Sequence, residues 1–529
     1  MNPFQHGKRF TLSEGQRFLL LAILIGMFSG LMVVAFHIMI DLISWNSLGA
    51  LSGTLRYGRL ISPALGALVA TYLATRVFPA ARGSGVNQTK AALYISDGFV
   101  DPSTVPGKFL ACSIAIGSGN SLGPEDPSLQ MGAGVASMLG RIFHLGRKNM
   151  RLIAPVGAAA GIAAAFNTPI TGVLFVMEEV VASWNAGVVG SIVLAAVSSV
   201  VVVRWFLGDE PLFRIPALQF QHPSELLVYA AIGVVGGLLS AGFIRLIEVL
   251  HNRLKGLPHR TQLIQALCGG LLCGFVGLWL PEVMGAGYDA IDFALHGRFP
   301  WDLLLILAGA KLLVTLICFS TGVPGGMFAP TLFVGAMLGG GLAGLAHHYS
   351  SLVTSPLGAY VLVGMGTFFS GVFRAPMTSI FMVFETSASY VIILPVMIAN
   401  TISYFISRRL HPVPFFTMLA RQEGIDLPSA EEYRSTEVLR VEDAMQPLPE
   451  GMTLEQAPPI YPDVTLDAAL RLLADHALLC VVSRANPQVP IGVVSILDVR
   501  RAYGFPESGP ILPETPEASS QGQGGRSGQ

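Results

Sequence analysis

Apolar runs recur along the chain from Arg17 to about Gln422, many of them near the roughly 20 residues a helix needs to cross a bilayer. They predict spans at 17–46, 59–78, 106–117, 125–143, 149–166, 169–185 and 188–207, and, after a break near Gly208–Ser224, at 224–250, 261–280, 301–320, 328–347, 356–372, 376–388 and 391–407. Several are too short, or too interrupted by Gly and Pro, to cross alone. A shorter segment, Val413 to Arg421, closes the apolar region. The pattern then changes. Residues 423–436 are polar and read as a linker. Residues 437–505 alternate short β-like runs, "ALLCVVSR" and "PIGVVSI", with the helical stretch "VTLDAALRLLADH", which predicts a small α/β domain. The stretch 506–529 is rich in Pro, Gly, Ser and Gln and reads as a disordered tail.

Composition sharpens this reading. The chain has 529 residues, 52% hydrophobic and 12% charged. A soluble protein carries about twice that charged fraction. The fold class expected is an all-α polytopic membrane protein followed by the small α/β domain. The first run, Phe18 to Ile43, is too long for a signal-peptide core and reads as a retained span. The five cysteines are scattered, mostly in apolar stretches, and suggest buried small residues and no metal. The net charge of -1 points to no partner, and no nucleic acid is expected. Lys8, Arg9, Arg17, Arg408, Arg409 and Arg421 flank the first and last apolar segments. By the positive-inside bias, residues 1–16 and the α/β domain are both cytoplasmic.

The halves 17–207 and 222–422 repeat one another. "GPEDPSLQMGA" (Gly123–Ala133) aligns with "GMFAPTLFVGA" (Gly326–Ala336), and "FNTPITGVLFVMEE" (Phe166–Glu179) with "FRAPMTSIFMVFET" (Phe373–Thr386). Pro, Gly and Glu agree as well as the aliphatics: Pro127/Pro330, Gly132/Gly335, Pro169/Pro376, Thr171/Thr378 and Glu178/Glu385. Paired, interrupted segments in two repeats are the pattern of secondary transporters, with the binding site where broken helices meet at the midplane.

Three Gly-rich turns precede helical runs: "GSGVN" (Gly83–Asn87), "GPEDP" (Gly123–Pro127) and "GGMFAP" (Gly325–Pro330). The first turn of a helix has unpaired N–H groups and a partial positive charge. Three such ends converging in hydrocarbon would bind an anion. No Lys or Arg lies inside the turns, which favours a transported anion over a tightly held one. Ser84 adds a hydroxyl donor. Glu125 has two readings, an anion mimic that leaves when protonated or an acid stabilised by its own helix dipole. Asp126 reads as a helix-start acid. Glu178 reads as a partner for a helix end, because Glu385 repeats it. Glu179 faces Thr386 in the repeat and is a candidate proton site. Lys311 reads as a snorkelling or structural lysine.

At these turns the chain resembles the CLC family of chloride channels and chloride/proton antiporters, over about residues 17–422. "GSGVN" is similar to the family's GSGIP motif, "GPEDP" to G(R/K)EGP and "GGMFAP" to GxFxP. The resemblance implies an inverted repeat of broken, tilted helices and a homodimer in the lipid bilayer with an anion pathway in each subunit. It implies an anion site at Ser84, Gly85, Glu125, Met327, Phe328 and Phe415. Glu125 matches the gating glutamate, and with Glu179, the internal proton glutamate, would carry protons. Pro124, Asp126 and Asn87 depart from the motifs, and Phe415 stands where the family has a tyrosine. The α/β domain resembles a CBS repeat, with Ser495 and Asp498 matching a frequent ribose-contacting pair. A single repeat leaves adenine-nucleotide sensing and a structural role both open; no other cofactor is expected. The expected function is chloride/proton antiport in a plasma-type (inner) membrane. The alternative is a passive chloride channel on the same fold. A nucleotide-regulated scaffold is disfavoured by the size of the repeated core. No HExxH, Cys/His constellation or nucleophile elbow supports an enzyme.

Overall fold

The computed structural model describes residues 14–49, 56–181, 186–209, 212–213, 224–349, 355–425, 427, 439–448, 457–484, 486 and 488–503. The expected tail and most of the expected linker lie outside them. The chain divides into two compact units, Met1–Tyr433 and Arg434–Gln529.

The first half of the larger unit runs α1 (Glu14–Ser44), α2 (Arg56–Tyr72), α3 (Gly85–Tyr94), α4 (Thr104–Gly117), α5 (Glu125–Ile142), α6 (Arg147–Arg151), α7 (Ile153–Phe166), α8 (Pro169–Phe175) and α9 (Ala186–Leu207). The second runs α10 (Glu225–Lys255), α11 (Gln262–Gly277), α12 (Tyr288–Leu295), α13 (Trp301–Ser320), α14 (Phe328–Tyr349), α15 (Leu357–Phe373), α16 (Pro376–Ser387), α17 (Ile393–Leu410) and α18 (Phe415–Glu423). Among the described residues, 7 helices are long and apolar enough to cross a membrane, including α1, α9, α10, α13 and α14. The spans expected at 106–117, 125–143, 169–185, 261–280, 356–372, 376–388 and 391–407 are not among them. α5 begins with buried Glu125 and Asp126 and carries Gln130. α8 has 7 residues and gives way to a π-helical turn, Val176–Val180, that holds both Glu178 and Glu179. These broken pieces are packed inside protein, the setting in which hydrocarbon tolerates irregular backbone.

The repeat dictates how each broken pair is built. α7 and α15 end at Phe166 and Phe373, and the next residues, Asn167 and Arg374, take left-handed backbone at φ 58° and 57°. Left-handed C-caps stop helices, and Pro169 and Pro376 then start α8 and α16 at a position where no N–H is needed. Arginine is an unusual residue for that conformation. Its guanidinium repays it by donating to the carbonyls of His411 and Pro412, the latter at 2.7 Å, which fixes the turn before α18.

The orphan N–H groups of the two restarted helices are capped across the repeats. Glu178 Oε2 accepts from the Thr378 N–H at 2.9 Å and its hydroxyl at 2.8 Å. Reciprocally, Glu385 accepts from the Ile170 N–H at 2.9 Å, and from the Thr171 N–H and hydroxyl at 2.6 Å. Each half thus closes a helix start of the other. Hydrogen bonds to a charged group contribute about 1.5–3 kcal/mol each. Glu178→Gln is expected to lower the apparent melting temperature of the purified protein while folded molecules still carry anion. An unchanged melting temperature would show that the cap has no weight.

Close backbone approach is also repeated. Gly132 on α5 meets Gly157 on α7, and Gly335 on α14 meets Gly364 on α15, so near that a Cβ at any of them would overlap a facing carbonyl oxygen. Small residues of this kind let membrane helices pack tightly.

The smaller unit holds a three-stranded sheet. β1 (Pro459–Ile460) pairs parallel with β2 (Leu478–Val482), and β2 pairs antiparallel with β3 (Pro490–Ser495). Helices α19 (Val441–Ala444), α20 (Leu466–Leu473) and α21 (Ile496–Ala502) accompany the sheet. Its core includes Val441, Leu466, Ala469, Leu479, Val481, Val494 and Val499. On the surface, Arg484 hydrogen-bonds Asp463 at 2.7 Å and holds that carboxyl below its ordinary range.

Candidate functional site

The two repeat-related turns meet directly. The N–H of Gly123 donates to the carbonyl of Gly326, and that of Gly326 to the carbonyl of Gly123, both at 2.8 Å. This minimal antiparallel pair places the starts of α5 and α14 side by side. Glu125, fully buried, turns from α5 to the start of α14. One oxygen accepts from the Ala329 N–H at 3.3 Å, and the other accepts from the Tyr288 hydroxyl. Tyr288 is itself placed by a buried cation. Lys311 Nζ donates to the carbonyls of Val283 at 3.0 Å and Gly285 at 2.7 Å, five and three residues before Tyr288. Lys311 is therefore buried and structural, and it does not snorkel.

Asp126 turns to a different helix start. Its Oδ2 accepts from the Gly85 N–H at 2.8 Å, and its Oδ1 from the Val86 N–H at 3.0 Å and the Ser84 hydroxyl at 3.2 Å. Asp126 lies in the first turn of α5, as the reading of a helix-start acid has it, but its hydrogen bonds go to the start of α3. Successive residues on a helix point about 100° apart, so adjacent acids in the first turn of α5 diverge and serve two neighbouring helix starts.

Ser84, Asp126, Met327, Phe328, Phe415 and Phe416 line a small cavity of about 10 Å³. Of the expected anion-site residues Ser84, Met327, Phe328 and Phe415 line it, Gly85 and Glu125 do not, and both phenylalanines of α18 face the cavity. The aromatic wall is continuous: Phe328 and Phe373 have ring centroids 4.8 Å apart, and the Phe373 ring stacks on Phe416 at 5.3 Å. Asn87 reaches into the same turn, its amide donating to the Phe416 carbonyl at 3.0 Å. A second cavity of about 540 Å³ shares Ser84, Phe319 and Leu419 with the first. Arg82, Lys108, Lys255 and Glu423 are among its walls, giving an excess of positive charge beside the helix starts. Lys108 Nζ also donates to the Gly83 carbonyl at 2.8 Å and holds the turn before α3.

Glu179 stands apart from these cavities. It is buried in the π-helical turn and forms an ion pair with the buried Lys90. Lys90 lies six residues along α3 from Ser84, about 9 Å at 1.5 Å per residue. Helix α3 therefore joins the Ser84 turn to the acid. Lys90 and Tyr288 were missed in the sequence reading. The available signal for Lys90 was a lysine followed directly by the apolar stretch "AALY". Tyr288 gave none.

Ser495 and Asp498 close a capping box at the start of α21. The Ser495 N–H and hydroxyl donate to Asp498 Oδ2 at 2.9 and 2.6 Å, and the Asp498 N–H donates to Ser495 Oγ at 3.3 Å.

Two repeats whose broken helices turn their starts toward buried carboxylates define the class, a polytopic inverted-repeat transporter fold. The chain belongs to the voltage gated chloride channel family, whose family model matches residues 66–408. It is 31% identical over 446 residues to the H(+)/Cl(-) exchange transporter ClcA of Yersinia pestis bv. Antiqua (strain Angola), covering 82% of this chain and 92% of that one. It is 32% identical over 403 residues to the putative chloride channel protein ClcB-like of Ralstonia nicotianae, covering 73% and 92%. Its fold is similar to a crystal structure of a slow cyanobacterial Cl-/H+ antiporter, with a TM-score of 0.71 at 24% identity over 77% of this chain and 98% of that one.

Proposed function

We propose that this protein exchanges chloride for protons across a membrane. The observation that carries the reading is Glu125, a buried carboxylate held by the first-turn Ala329 N–H of α14. A carboxylate there stands in for a free anion. Protonation removes its charge and its claim on the helix start, so chloride and proton compete for one place. Glu179, paired with Lys90 of α3, passes protons between the anion region and the other side. The exchange transporter named among the relatives supports antiport over passive conduction.

The proposal places the protein in an inner (plasma) membrane as a homodimer, each subunit with its own pathway and both ends cytoplasmic. The basic residues flanking the first and last apolar segments support that orientation. The small unit is assigned a structural role, because Ser495 and Asp498 spend their hydrogen bonds on a helix cap. Saturable binding of labelled ATP by the full chain would overturn that assignment.

The test is proton movement driven by a chloride gradient in proteoliposomes containing the parent protein. Uphill proton uptake is expected. Chloride flux without coupled protons would hand the function to a passive channel.

A further inference from the structure

We propose that Asp126 is a second tethered anion of the pathway, one that occupies the start of α3 and sets how strongly free chloride binds beside Ser84. The inference rests on the chloride reading above, but on a different side chain. Three donors converge on the Asp126 carboxylate: the Gly85 and Val86 N–H groups and the Ser84 hydroxyl. These are the donors a chloride at the start of α3 would need. An ionised carboxylate is favoured at the positive end of a helix, and its hydrogen bonds there are charge-assisted.

Space decides between sharing and competition. The cavity bounded by Ser84, Asp126 and the phenylalanines has a volume of about 10 Å³. That is the room of about one water. Chloride has no second berth at the Ser84 hydroxyl while Asp126 holds it, so binding requires the carboxylate to move.

Asp126 and Glu125 divide the work. Glu125 is longer by one methylene and is held by the Ala329 N–H and the Tyr288 hydroxyl. Asp126 is short and has two backbone donors and one hydroxyl. A glycine at position 126 would leave those donors empty. The missing tyrosine hydroxyl at Phe415 fits this arrangement, since the Ser84 hydroxyl already donates to a tethered acceptor.

The experiment is isothermal titration of chloride into the purified full chain, exchanged into an inert organic anion, for the parent, Asp126→Gly and Asp126→Asn. Asp126→Gly is expected to bind chloride at least about tenfold more tightly, since the cost of displacing a charge-assisted acceptor is removed. Asp126→Asn keeps the side-chain volume without the charge and is expected to fall between. Adding Ser84→Ala to Asp126→Gly is expected to remove part of the gain. Equal chloride affinity in the parent and Asp126→Gly overturns the inference. Loss of the folded state in both single variants overturns it too, making Asp126 a structural cap. Chloride flux of the parent in proteoliposomes keeps the two readings apart. A parent that moves chloride, with an affinity insensitive to Asp126→Gly, sinks this inference alone. A parent that moves no chloride sinks the antiport reading.

Discussion

Glu179→Gln is expected to stop chloride-driven proton uptake while chloride still moves, and to destabilise the protein at the same time. Both effects come from the buried pair with Lys90. In the proposed exchange the carboxylate takes and gives the proton, so its amide would break the relay. The lysine then remains as a buried cation without its counter-charge, a change that costs about 3–5 kcal/mol. The two effects separate in the double variant Lys90→Met/Glu179→Gln. Replacing both members of a buried ion pair by uncharged groups is often neutral or stabilising. Stability should return, and proton uptake should not. Coupled fluxes in proteoliposomes and thermal unfolding of the purified protein read the two outcomes. Proton uptake surviving in Glu179→Gln would remove this residue from the relay. Uptake restored in the double variant would show that the single variant had merely misfolded.

The second large effect is expected at Glu125. Glu125→Ala removes the protonatable group at the start of α14 and should reduce proton flux to background while chloride flux continues. Tyr288→Phe is the finer probe. It keeps the ring and deletes the hydroxyl that donates to Glu125. A hydrogen bond to a charged group is worth about 1.5–3 kcal/mol, which corresponds to a shift of about 10- to 150-fold in how often the carboxylate leaves its place. Chloride turnover should rise, and the proton-to-chloride ratio should fall without vanishing. The ratio comes from simultaneous recording of both fluxes. Unchanged rates in Tyr288→Phe would show that the phenol does not restrain the carboxylate, and proton coupling retained in Glu125→Ala would overturn the gate itself.

Much of the architecture was legible in the sequence, for reasons that are local. Hydropathy marks a span because about 20 apolar residues must lie in one helix. The breaks before Pro169 and Pro376 were legible from hydropathy and proline, whereas the left-handed turns at Asn167 and Arg374 came only with the structure. The repeat also identified the capping pair, since Glu178 and Glu385 match and a repeated intramembrane acid suits a repeated helix start. Ser84, Met327, Phe328 and Phe415, singled out in the sequence, line one cavity in the structure, whereas Gly85 and Glu125 do not.

Tertiary structure alone decided what each unrepeated carboxylate faces. Glu125 finds Tyr288, 163 positions away, Asp126 finds Ser84, 42 positions away, and Glu179 finds Lys90, 89 positions away. No periodicity links these pairs, because they belong to different helices brought together by packing. Adjacent acids in one first turn look alike in sequence. They part only when two other helix starts stand on either side of α5, each with N–H groups that the low-dielectric interior cannot leave unsatisfied.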